Sequence, residues 1–131
     1  MNILNAVLTS ITSSEHLSIL TVSVGEDIFH LLLAEQCHNA IGEPLKLAFK
    51  ETEIILSKTY TATTANIHRA VVTRISQGSV LSQITLHYHD TAINALVPTL
   101  RFDTLDIHEG DEVCWIVQPS EISLLRGHHG S

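Results

Sequence analysis

The sequence predicts an all-β protein made of two small barrels in tandem, and three observations carry that prediction. Short stretches rich in Val, Ile, Leu and Thr are separated by clusters of Gly, Asp, Glu and Ser, which is the texture of strands joined by turns. The chain matches itself at a nearly fixed offset, so one fold unit is written twice. Each copy supplies only about five strands, too few for a flat sheet to bury both faces, so the sheet must curl into a barrel.

Composition sets the frame for these elements. The chain has 131 residues, 44% hydrophobic and 16% charged, with a mean hydropathy of +0.22, enough apolar content for a core and unlike a disordered chain. No run approaches the roughly 18 apolar residues that span a bilayer, and Met1–Leu4 has no basic stretch ahead of an apolar one, so a cytoplasmic location is expected. The net charge of −7 argues against a general binder of nucleic-acid backbone, and any anion site must be local. Cys37 and Cys114 lie far apart without Cys-x-x-Cys spacing and read as two reduced, half-buried thiols.

In chain order, Ala6–Ile11, Leu17–Val24, Ile28–Leu33 and Leu45–Lys50 read as strands of the N-terminal copy. A short helical turn is expected at Ala34–Ala40, and Tyr60–Asn66 reads as the link between copies. In the C-terminal copy, Ile84, Leu86 and Tyr88 alternate with Thr85, His87 and His89, the period of a strand with one buried face. A second helical turn is expected at Thr99–Ile107, before the Gly110-Asp111 turn.

The repeat sets the register. At an offset of 64, Ala6-Val7-Leu8-Thr9-Ser10-Ile11 falls on Ala70-Val71-Val72-Thr73-Arg74-Ile75, and the match runs to Leu32 and Leu96. Four residues inserted in the C-terminal copy then move the offset to 68, where Gly42 meets Gly110 and Glu53-Ile54-Ile55-Leu56 meets Glu121-Ile122-Ser123-Leu124. The expected organisation is a first module over 1–58, a linker over 59–67 that carries the opening of the second copy, a second module over 68–126 and a tail over 127–131. Each module is expected to be a five-stranded, partly open barrel of oligonucleotide-binding topology with one short helical turn.

Several chemistries are excluded on residue type and spacing. His87-x-His89 puts two rings on one strand face but finds no third ligand, so no metal site is expected. Asp103, Asp106, Glu109, Asp111 and Glu112 read as a solvated turn rather than a catalytic acid pair. There is no nucleophile motif and no Gly-x-x-x-x-Gly-Lys phosphate loop, so neither an enzyme nor a bound cofactor is expected. Tyr60, Phe102 and Trp115 are scattered, unlike the aromatic ladder of a single-strand nucleic-acid groove.

Thr63-Thr64-Ala65-Asn66 stands four residues before Ala70-Val71-Val72, Ala95-Leu96-Val97 ends a strand, Gly110-Asp111-Glu112-Val113 forms a turn, and Lys50-Glu51-Thr52-Glu53-Ile54 leads into a last strand. In these segments the chain resembles the molbindin family (the Mop or TOBE-like domain), in its tandem arrangement, over nearly its whole length. Family copies open with Ser-Ala-Arg-Asn and close through Lys-Ala-Ser/Thr-Glu-Val. The departures are unequal: the C-terminal copy has Ala65 in place of the family arginine and Gln118-Pro119-Ser120 at the lysine turn, and the N-terminal copy has only Met1 ahead of Asn2.

The resemblance implies a cytoplasmic binder of molybdate or tungstate that stores, buffers or senses the anion, with sites between modules or subunits. It implies a homo-oligomer, a trimer ahead of a dimer, with no direct nucleic-acid or membrane partner. The oxyanion-binding residues it implies are Lys50, Glu51, Thr52, Thr63, Thr64, Ala65, Arg69 and Ser120, with Arg69 as a substitute for the missing arginine. The alternative is a regulatory or oligomerising module associated with a molybdate transporter ATPase or a regulator, with reduced or no ligand binding. Plain structural roles stand beside these: Lys50 as a solvated strand end, Thr52 and Ser120 as turn formers, Thr63 and Thr64 as linker residues, and Thr99 as a helix cap.

Overall fold

The computed structural model describes residues 1–125; the tail set apart at 127–131 lies outside the described residues. Among the described residues, ten strands form two five-stranded sheets. They are β1 (Asn2–Ser13), β2 (Ser18–Val24), β3 (Asp27–Leu33), β4 (Pro44–Phe49), β5 (Ile55–Ser57), β6 (Asn66–Gln77), β7 (Leu81–Tyr88), β8 (Thr91–Pro98), β9 (Glu112–Val117) and β10 (Ser123–Leu125). The element bounds repeat as the sequence does: β1 and β6 start 64 residues apart, and β4 and β9, like β5 and β10, start 68 apart.

The chain folds into two compact units, and neither is a contiguous copy. Unit 1 comprises Met1–Asn2 and Lys50–Val117; unit 2 comprises Ile3–Phe49 and the segment that starts at Gln118. The sheet of unit 1 has the order β5-β9-β6-β7-β8 and that of unit 2 the order β10-β4-β1-β2-β3. The closing strand of each unit therefore comes from the other copy, and the compact units differ from the spans 1–58 and 68–126 expected from the sequence. Asn66 and Ile67, expected in the linker, already belong to β6, where they pair with Val117 and Ile116.

In both units the strand pattern follows burial. In unit 2, Leu20, Val22 and Val24 face inward along β2, with Leu8 and Phe29 among the fully buried residues. In unit 1, Ile84, Leu86 and Tyr88 do the same along β7, as their alternation predicts. Each long first strand carries an irregularity at the same place, between Leu8 and Ser10 in β1 and between Val72 and Arg74 in β6. There the backbone of Leu8 bonds Gly42 and Glu43, and that of Val72 bonds Gly110 and Asp111. Gly42 and Gly110 reach φ +90° and +92°, a region open to glycine, which accounts for their match in the repeat. Within each unit the sheet curls toward closure, the 3-10 turn Glu51–Glu53 packing on β8 in unit 1 and Pro119–Glu121 on β3 in unit 2.

The two expected helical turns have different fates. Helix α1 (Thr99–Leu105) forms in unit 1 and stops where Asp106 takes the left-handed conformation at φ 53°. The turn expected at Ala34–Ala40 is not helical. The Ser18 hydroxyl donates to the Glu35 carbonyl and accepts the Cys37 N–H, and the Glu43 carboxylate accepts the Ala40 N–H. These bonds capture the groups a helix would use. The four extra residues of the C-terminal copy, about one turn of helix, fall in the stretch that holds α1.

Candidate functional site

Unit 1 gathers the two segments that the sequence singles out. β9 pairs on one side with β5, through Ile116 and Ile55, and on the other with β6, through Ile116 and Ile67. Both neighbours run antiparallel to β9, so both begin at its C-terminal end. The leads into those strands, Lys50-Glu51-Thr52 and Thr63-Thr64-Ala65, therefore leave the sheet from the same end, with about 10 Å between the strands that carry them. One segment belongs to each copy; the exchange of closing strands puts them in one unit.

Their side chains are unequally committed. Lys50 is exposed, its carbonyl accepts the Glu53 N–H at 3.0 Å, and its ammonium has no ion-pair partner among the described residues. Glu51 Oε2 accepts the α-ammonium of Met1. That hydrogen bond, aided by the Glu51 N–H, holds its carboxyl below the ordinary value of 4.5. An ionised carboxylate offers no donor to an anion, so Glu51 serves the turn. Thr52 is exposed. The Thr63 oxygen accepts the Ala65 N–H at 3.2 Å, which leaves the hydroxyl proton to give away. Thr64 is exposed beside it, and Ala65 has no side-chain donor.

Arg69 is placed elsewhere. It faces outward, with its guanidinium 3.5 Å from Glu112 and 5.5 Å from the ring centre of Tyr60, a role of surface pairing and stacking. Neighbouring His68 packs among Tyr88 and Trp115, with ring centres 5.9 and 6.0 Å away. Ser120 belongs to unit 2, on the turn that corresponds to Thr52. Thr99 does not cap α1; its hydroxyl donates to the Gly78 carbonyl at 2.8 Å. Among the described residues no group of three His, Cys, Asp or Glu side chains could hold a metal ion.

Sequence reasoning missed a cleft in each unit, beside the 3-10 turn and the closing strand. In unit 1 it measures about 340 Å³ and is bordered by Thr52, Ile54, Leu96, Arg101, Phe102 and Leu105. In unit 2 its counterpart measures about 380 Å³ and is bordered by Leu17, Leu32, Glu35, Ser120, Ile122 and Leu124. The one hint was the four-residue insertion, because α1 supplies Arg101 and Phe102.

No family model matches the chain, and no curated protein matches it. Among solved structures, it is similar to the cytoplasmic molybdate-binding protein ModG in a crystal form with molybdate bound, with a TM-score of 0.86 over 94% of each chain and 17% sequence identity. The likeness is one of fold over nearly the full length of both chains.

Proposed function

We propose that this protein binds a tetrahedral oxyanion, molybdate or tungstate, without transforming it, and serves to store, buffer or sense that anion in the cytoplasm. The observation that carries the reading is the fold it shares with a molybdate-bound protein, together with the convergence of Lys50–Thr52 and Thr63–Thr64 at one end of a single unit. We assign the anion to Lys50, Thr52, Thr63, Thr64 and the backbone N–H groups of the two leads.

A hydrated dianion gives up its water only to inward-pointing donors. Threonine hydroxyls and turn amides supply fixed dipoles, and an uncommitted lysine adds a charge-assisted bond of about 1.5–3 kcal/mol. The net charge of −7 does not oppose this, because charges farther away than about 8 Å are largely screened. Association into a homo-oligomer belongs to the same reading, supported by the exposure of Val80 and Leu100 at 73% and 82%.

Calorimetry with molybdate, tungstate, sulfate and phosphate, paired with mass measurement in solution, tests the function. Saturable heat for molybdate or tungstate, weakened about tenfold or more by Lys50→Ala with the mass unchanged, is the expected result. No heat for any oxyanion from a stable oligomer would favour the regulatory or oligomerising module instead.

A further inference from the structure

We propose that the cleft of unit 1 is a second ligand site, for a small amphipathic carboxylate whose head pairs with Arg101 and whose apolar body lies against Leu96, Phe102 and Leu105. Three observations converge on that chemistry. The cleft, at about 340 Å³, has the size of a small-molecule site, roughly 300–1,000 Å³. Its border is largely apolar, with Ile54, Leu96, Val97, Phe102 and Leu105 around it, which suits a hydrocarbon body and not a bare inorganic dianion.

Arg101 supplies the charge. Lys58 and Arg69 of unit 1 are directed to Asp106, at 3.9 Å, and to Glu112, whereas Arg101 has no ion-pair partner among the described residues and is the basic side chain that borders the cleft. A guanidinium fork matches a carboxylate in two parallel hydrogen bonds. Thr52, across the cleft from α1, brings a hydroxyl that can donate a third.

The counterpart in unit 2 is similar in size, but its border holds Glu35 and neither an arginine nor a lysine among the described residues. The site shares Thr52 with the proposed oxyanion turn and does not involve Lys50, so the two readings stand or fall separately.

Titration of the full-length protein with octanoate, followed by amide chemical shifts, tests the site. The expected result is saturable binding with shifts at Ile55, Leu96 and Leu105, weakened about tenfold by Arg101→Gln and less by Arg101→Lys. Octanol should bind at least tenfold more weakly than octanoate. Lys50→Ala should leave octanoate affinity unchanged while weakening molybdate. The proposal is overturned if octanoate does not bind, if octanol binds equally well, if Arg101→Gln changes nothing, or if the shifts fall at Leu32 and Leu124 in unit 2.

Discussion

The two units solve the same packing problem with different side chains. In unit 1, His68, Tyr88 and Trp115 form a cluster, Tyr88 and Trp115 meeting edge to face at 5.1 Å and 80°. The corresponding positions of unit 2, by the offsets of 64 and 68, hold Leu4, Val24 and Leu47, all buried. Unit 1 thus relies on rings whose mutual orientation adds to their burial, about 0.5–1.5 kcal/mol per aromatic pair. Unit 2 relies on aliphatic interdigitation. A shared backbone plan has accepted two core compositions because strand alternation and the glycine turns, not any one side chain, fix the inward face.

Removing the centre of each core should separate the two solutions. Trp115 is fully buried in unit 1 and Leu47 fully buried in unit 2. Trp115→Ala should cost about 3–5 kcal/mol and Leu47→Ala about 2–5 kcal/mol, the first near the top of its range because its neighbours are rigid rings that cannot close the void. Urea unfolding followed by circular dichroism measures both. A loss below about 1 kcal/mol for Trp115→Ala would mean that the ring cluster does not hold unit 1.

A smaller effect should come from the edge of unit 1. The buried Asn2 amide donates to the Asn94 carbonyl and accepts the Asn94 N–H, each at 2.8 Å. It stands in for a strand residue beside β8, the outer strand of its sheet. Its repeat partner Asn66 bonds the Val117 carbonyl at 3.1 Å, in the adjacent strand. Asn2→Ala should cost about 1–3 kcal/mol by stranding the Asn94 groups and should speed hydrogen exchange of the Asn94 amide. Unchanged exchange there would remove the clamp from the account of unit 1.

The strands and the repeat were legible because Val, Ile, Leu and Thr at period two leave a signature in any window, as at Ile84, Leu86 and Tyr88. The fate of Ala34–Ala40 was not, because it turned on Ser18, distant in sequence, reaching Glu35 and Cys37. Nor was the exchange of β5 and β10: their local pattern is the same whichever sheet they join. At the proposed site, Lys50 and the Thr63–Thr64 lead stand out by residue type alone. Arg69 could not be placed without knowing that Glu112 and Tyr60 lie beside it. Arg101 was not singled out because it lies in the stretch that carries the four extra residues, where the repeat gives no fixed register for comparison.

The smallest expected effect concerns how each unit secures the turn before its closing strand. Unit 2 begins that turn with Pro119, whose fixed φ suits a first helical position. Unit 1 has Glu51 at the matching place and pairs it with the Met1 ammonium. Because the folded-state pKa of Glu51 lies below its ordinary 4.5, the pair contributes stability above that value and loses it as pH falls through the folded pKa. With Glu51 31% exposed, solvent screening limits the contribution to less than about 1 kcal/mol. Glu51→Gln should therefore lower stability slightly at pH 7, flatten the loss below pH 4.5, and bring wild type and variant together in high salt. A variant as acid-sensitive as the wild type would assign the acid limb of unit 1 to other carboxylates and leave the turn held by its backbone bond from Glu53 to Lys50 alone.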